Sequence, residues 1–210
     1  MTMELKICGL TDEQNIYNII QTVKFDYLGF IFHKYSSRFV KKQLTPETIK
    51  RLPDDLKKTG VFVNSALADT LNVAEAYGLD TLQLHGDESP AFCASCKSRD
   101  YTVIKVFSIG KALNISLMDK YSEVCDYFLF DTAGTYKGGN GKKFNWMLLN
   151  EYTLEKPYFL SGGIAPEDVE TIRSIKDPKF SGIDINSRFE VKPGIKDVNK
   201  IEKFSNQIKK

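Results

Sequence analysis

A chain of 210 residues with 42% hydrophobic and 27% charged content has an ordinary globular composition, long enough to bury one large core. Its 29 basic and 27 acidic residues leave a formal charge of +2, and its dense basic runs are short pairs (Lys41-Lys42, Lys142-Lys143, Lys209-Lys210), so no nucleic-acid face is expected. The N-terminus lacks a basic stretch followed by an apolar one, and no run approaches the roughly 18–20 apolar residues that cross a bilayer, so the expectation is a cytoplasmic protein with no membrane partner.

In chain order, the first predicted strand covers 4–8 and ends in Cys8-Gly9. Thr11, followed by Asp12 and Glu13, is the expected N-cap of a helix over 12–24 with acids in its first turn. β-Branched or aromatic runs then alternate with amphipathic ones. Strands are predicted over 27–32, 59–63, 81–84, 102–107, 127–131, 158–161 and 182–185, and helices over 46–51, 66–77, 90–98, 113–121, 146–151, 166–175 and 197–209. Pro46 and the glycines of 134–141 shorten the pattern of the second and sixth helices.

Eight strand-then-helix units predict right-handed βαβ connections and a parallel sheet closed into a (βα)8 TIM barrel with outer helices. At about 250 residues for the usual barrel, this chain would be a compact version, one domain over 1–210. An open dinucleotide-binding sheet would carry a glycine-rich loop after its first strand, and Cys8-Gly9-Leu10 is not that loop.

Four cysteines, Cys8, Cys93, Cys96 and Cys125, are too few and scattered for a disulfide framework and suit a reducing compartment. Cys93 and Cys96 form a lone C-x-x-C with no second ligand pair, and His33 and His85 stand apart. A helix with semi-buried thiols is expected there, and no metal site.

Catalytic groups of such a barrel come from the C-terminal ends of its strands. Those ends carry Cys8; Phe32-His33, with Arg38 in the loop; Asn64; Gln83 and His85; Asp131; Ser161-Gly162-Gly163; and Asp184 with Asn186. Glycines 162 and 163, with Pro166-Glu167 opening the next helix, make an anion cradle, because backbone N–H groups can approach a phosphate closely there. Asn186 and Ser187 in the eighth loop lie where barrels often bind phosphate. The stretch Gly138-Gly139-Asn140-Gly141-Lys142 is a second glycine-rich loop, able to fold over a ligand as a lid.

Cys8 and Asp131 are expected to point into one mouth from strands one and six. Read singly, Cys8 also fits a small buried apolar residue and Asp131 a loop-stabilising turn. Read together, a thiolate that accepts a proton and a carboxylic acid that delivers one suit an isomerisation in which a carbon loses a proton while a sugar ring opens.

The segments KICGLT (6–11), GFIF (29–32), SSRFV (36–40), GVFVN (60–64), LQLHGDE (82–88), Asp131-Thr132, GGNGKKFNW (138–146), LSGGI (160–164) and PGIKD (193–197) occur in an order and spacing that resemble the phosphoribosylanthranilate isomerases of tryptophan biosynthesis, over nearly the whole chain. The resemblance implies a cofactor-free Amadori rearrangement of a phosphosugar-anthranilate substrate. It implies Cys8 as general base, Asp131 as general acid and Arg38 as holder of the anthranilate carboxylate, with Gln83, His85 and Asp184 also at the substrate. Gly162, Gly163, Asn186 and Ser187 would hold the phosphate. Two positions depart from the family pattern: Asn140 stands for a threonine, and Arg188 replaces a glycine at the phosphate end. Either the turn at Arg188 avoids positive φ or the guanidinium adds to anion binding. A ribulose-phosphate epimerase would need metal-ligating histidines, which two histidines supply poorly. A silent phosphate-ligand binder on the same fold and a redox or metal protein using Cys93 and Cys96 are the rivals from other classes. Monomer and homodimer both remain open.

Overall fold

Eight parallel strands close into a barrel: β1 (Glu4–Cys8), β2 (Tyr27–Ile31), β3 (Lys57–Phe62), β4 (Thr81–Leu84), β5 (Thr102–Ile109), β6 (Tyr127–Thr132), β7 (Tyr158–Leu160) and β8 (Phe180–Ile185). Each pairs with the next, and β8 returns to β1 with Glu4 opposite Gly182 and Ile7 opposite Ile185. This computed structural model describes residues 3–40, 43–133 and 143–209; Lys41, Lys42, Lys210 and the expected lid over 138–142 lie outside them. No helix among the described residues is long and apolar enough to cross a membrane.

Outside the barrel run α1 (Glu13–Thr22), α2 (Pro46–Lys50), α3 (Leu67–Tyr77), α4 (Pro90–Lys97), α5 (Ile115–Asp119), α6 (Val169–Arg173) and α7 (Val198–Ile208). Local chemistry sets their ends. Thr45 and Ser89 cap α2 and α4, with proline opening each helix where no N–H is needed, and Gly78 ends α3 in the left-handed conformation.

The structure corrects four sequence expectations. Asp12, not Thr11, caps α1, its Oδ1 accepting from the Asn15 N–H at 2.7 Å. Thr11 is buried, and its hydroxyl is taken by the Gly194 carbonyl at 3.1 Å. The sixth helix is a 3-10 turn, Trp146–Glu151, capped by the Asn145 side chain and ended by the extended Tyr152. Helix 166–175 likewise opens as a 3-10 turn, Pro166–Asp168, before α6. Finally, a two-stranded hairpin, β9 (Glu190–Lys192) and β10 (Ile195–Lys196), fills a segment to which the sequence pattern assigns no element.

Alternation along each strand divides the buried residues into two layers. Leu5, Ile7, Leu28 and Phe30 face the helices and join the large outer core. Tyr27, Ile104, Val106, Leu129 and Phe159, with Tyr127 against them, form a separate inner cluster. The Phe159 ring meets Tyr27 edge-on at 5.4 Å and Tyr127 at 5.3 Å. This plug fills the lower interior and leaves the upper interior to polar side chains. Cys93, Cys96 and Cys125 are buried free thiols; the first two lie on α4, a helix as expected, but are fully rather than partly buried.

Candidate active site

Along β1 the inward positions read Glu4, Lys6, Cys8, so a cation lies one layer beneath the thiol. Lys6 is fully buried, and its Nζ donates to Asp184 Oδ1 on β8 at 3.0 Å. Burial pushes the Cys8 thiol above its ordinary range, while Lys6 and, more weakly, Lys196 pull it back. For Lys6 burial works against the charge, but the Asp184 carboxylate and Cys8 outweigh it and hold the ammonium up. Cys8 sits beside Gly29 in the β1–β2 register, and a methyl group at that glycine would come within 2.9 Å of the sulfur. Gly29 therefore leaves the thiol its room.

From β6, Asp131 is turned into the same mouth, with Oδ1 accepting from the Thr132 N–H at 2.8 Å. Its Oδ2 lies 3.2 Å from Nε2 of His85, though not aligned as a hydrogen bond. His85 rides on a loop stapled from below. Lys105 Nζ donates to Glu88 Oε2 at 3.0 Å and to the Gly86 carbonyl at 2.8 Å. Glu88 in turn accepts from the Asn64 and Gly86 N–H groups at 2.8 and 2.9 Å. Gln83 lines the interior one layer below His85, its Oε1 buried and reached by no donor among the described residues.

At the rim, Gly162 and Gly163 have φ of +87° and +69°, and no group among the described residues accepts from either amide. A side chain at Gly162 would collide with Thr132 and Asp131, so the glycine loop packs directly against the carboxyl. Asn186 and Ser187 follow β8, and Ser187 opens a 3-10 turn, Ser187–Phe189. Arg188 is exposed within that turn and does not take positive φ, so the residue that replaces the family glycine fits without backbone strain.

Arg38 reaches the mouth from the loop after β2, but with a partner that sequence reading missed. Its Nε and Nη2 donate to the Glu190 carboxylate at 2.9 and 2.6 Å. Glu190 also accepts from Lys196 Nζ at 2.8 Å. Lys6, Glu190 and Lys196 are thus the polar groups that sequence reasoning passed over. For Lys6 a signal existed, since a lysine two residues before Cys8, in a strand buried on both faces, shares the thiol's side.

The structure therefore brings Cys8, Lys6 and Asp184 together, sets Asp131 beside His85, and links Arg38 to Asn186 through the hairpin. A closed parallel barrel with its reactive groups gathered beyond the C-terminal strand ends is a (βα)8-barrel enzyme. A family model described as N-(5'-phosphoribosyl)anthranilate (PRA) isomerase matches residues 5–207. An N-(5'-phosphoribosyl)anthranilate isomerase from Parabacteroides distasonis is 42% identical over 98% of this chain and 93% of its own. The phosphoribosyl anthranilate isomerase of Thermus thermophilus superposes with a TM-score of 0.80 at 25% identity, covering 98% of each chain. A second such isomerase, solved in complex with reduced 1-(o-carboxyphenylamino)-1-deoxyribulose 5-phosphate, gives 0.77 at 28% identity over 99% of this chain and 98% of its own. The chain belongs to the N-(5'-phosphoribosyl)anthranilate isomerase family and is an isomerase of tryptophan biosynthesis.

Proposed function

We propose that this chain converts N-(5-phosphoribosyl)anthranilate to 1-(2-carboxyphenylamino)-1-deoxyribulose 5-phosphate by proton transfer alone, with Cys8 as general base, Asp131 as general acid and no cofactor. The observation that carries the reading is Cys8 and Asp131 in one mouth, with two glycine amides at its rim that no group among the described residues claims. Asp131 gives a proton to the ring oxygen; the C1–O bond breaks toward that oxygen, and the nitrogen lone pair forms a C=N bond. Cys8 then takes the C2 proton, the electrons of that C–H bond form C1=C2, and the C=N pair returns to nitrogen. Loss of the C2 hydroxyl proton and protonation at C1 give the ketone, so atoms and electrons balance without an oxidant.

Burial pushes the Cys8 pKa up, so the base form must be drawn out, and Lys6 beneath it supplies the compensating charge. Gly162, Gly163, Asn186 and Ser187 hold the phosphate, Arg38 the anthranilate carboxylate, and Gln83, His85 and Asp184 line the sugar between them. The isomerase complex with a reduced carboxyphenylamino-deoxyribulose phosphate, over nearly the same length of chain, supports this substrate class. The setting is one domain over 1–210, working in the cytoplasm on a small molecule.

The test follows the loss of anthranilate fluorescence as purified protein turns over fresh substrate. Wild-type turnover, with Cys8→Ala and Asp131→Asn each slower by about 100-fold or more, is the expected result. Saturable binding without turnover by the wild type would reject the reaction.

A further inference from the structure

We infer that Glu190 and Lys196, on the hairpin after β8, are positioning residues that tie the two anionic ends of the substrate site into one rigid unit. The inference rests on the roles proposed above for Arg38 and Asn186.

The fully buried Lys196 ammonium is its centre. Nζ donates to Asn186 Oδ1 at 2.7 Å and to Glu190 Oε1 at 2.8 Å. Its backbone is gripped by the Asn15 amide, which donates to the Lys196 carbonyl at 2.9 Å and accepts from the Lys196 N–H at 2.8 Å. Gly194 adds an N–H to Glu190 at 3.0 Å, and Thr11 binds the Gly194 carbonyl. The hairpin is therefore stitched to α1 and to the segment before it, and cannot shift alone.

Each contact fixes a functional direction. A cation can face only the oxygen of the Asn186 amide, so Nδ2, a donor, is the end left for an anion. Glu190 occupies the Nε/Nη2 edge of Arg38, and the remaining edge, through Nη1, is the one available to a second carboxylate. Burial works against the Glu190 charge, but its bonds to Arg38 and Lys196 outweigh it and hold the carboxyl below its usual range. Arg38, Glu190 and Lys196 together carry one excess positive charge in a nearly dry site. An arriving carboxylate neutralises that charge and gains a bidentate geometry already set.

The experiment measures kcat and KM for phosphoribosylanthranilate, and competitive inhibition by inorganic phosphate, in wild type, Glu190→Gln, Lys196→Met and Arg38→Lys. Melting curves show whether each variant folds. Glu190→Gln keeps the shape and is expected to raise KM about tenfold, the scale of one charge-assisted hydrogen bond, with kcat within about threefold of wild type and phosphate inhibition unchanged. Lys196→Met is expected to weaken both substrate and phosphate binding by a similar factor, because it frees both arms. If Arg38→Lys raises KM while Glu190→Gln leaves it at the wild-type value, the relay is wrong and the substrate reading stands. Should Lys196→Met fail to fold, the Glu190→Gln result decides alone. Absence of wild-type turnover would overturn the substrate reading and the relay with it.

Discussion

The two ends of the barrel interior are built from the same alternating strand positions and do opposite things. At the floor, Tyr27, Tyr127 and Phe159 meet edge to face over Ile104, Val106 and Leu129. At the mouth the same inward positions carry Lys6, Cys8, Asp131 and Asp184. Burying an aromatic ring stabilises by about 2–3 kcal/mol, whereas a buried ion pair such as Lys6–Asp184 repays its desolvation only in part. The floor holds the strands in register so that the mouth can keep charged groups in a costly place.

That contrast can be broken from either side. The largest expected effect is at the floor: Phe159→Ala leaves a cavity and should cost about 3–5 kcal/mol in urea denaturation, with KM of the folded fraction unchanged. A cost under about 1 kcal/mol would show that the plug does not carry the barrel. Next comes Lys105→Met, which strands the Glu88 carboxylate beneath the His85 loop. It should lose about 3 kcal/mol and depress kcat as well, because His85 moves relative to Asp131; an unchanged melting temperature would contradict it.

A pH profile sharpens the comparison without mutation. If Cys8 is the base as proposed, its active form is the thiolate, and burial raises its pKa above the usual thiol range. Below that pKa, kcat/KM should therefore climb about tenfold per pH unit and level off only on the alkaline side. A profile flat from neutral pH upward would mean that Cys8 is already ionised at rest, or is not the base. The smallest effect belongs to a pair at neither end. Arg51 and Glu13, 65% and 45% exposed, meet at 3.4 Å on the helical surface. Removing the arginine should change stability by less than about 0.5 kcal/mol, and a larger loss in a denaturation series would refute the view that burial decides which charges matter.

Much of this was legible before any coordinates. β-Branched and aromatic runs placed all eight strands within a few residues, and the rule that barrel chemistry sits at C-terminal strand ends pointed to Cys8, His85, Asp131 and Asp184, which the structure gathers at one mouth. Legibility failed where a partner is distant in sequence. Thr11 and Asp12 are both good caps by composition, and only the approach of Gly194, 183 residues away, diverted Thr11 to the hairpin. The sixth helix, expected as an α-helix, closes instead as a 3-10 turn that ends at the extended Tyr152.

The sequence by itself determined the barrel and its family, because the alternation of strand and helix runs and the spacing of motifs are properties of neighbours along the chain. The tertiary structure alone decided which charges meet at the mouth. Lys6 meets Asp184 across 178 residues, Asn15 grips Lys196 across 181, and Arg38 finds Glu190 across 152. Whether such a charge is solvated or locked in place depends on closing β8 onto β1, and burial then sets both its pKa and its worth.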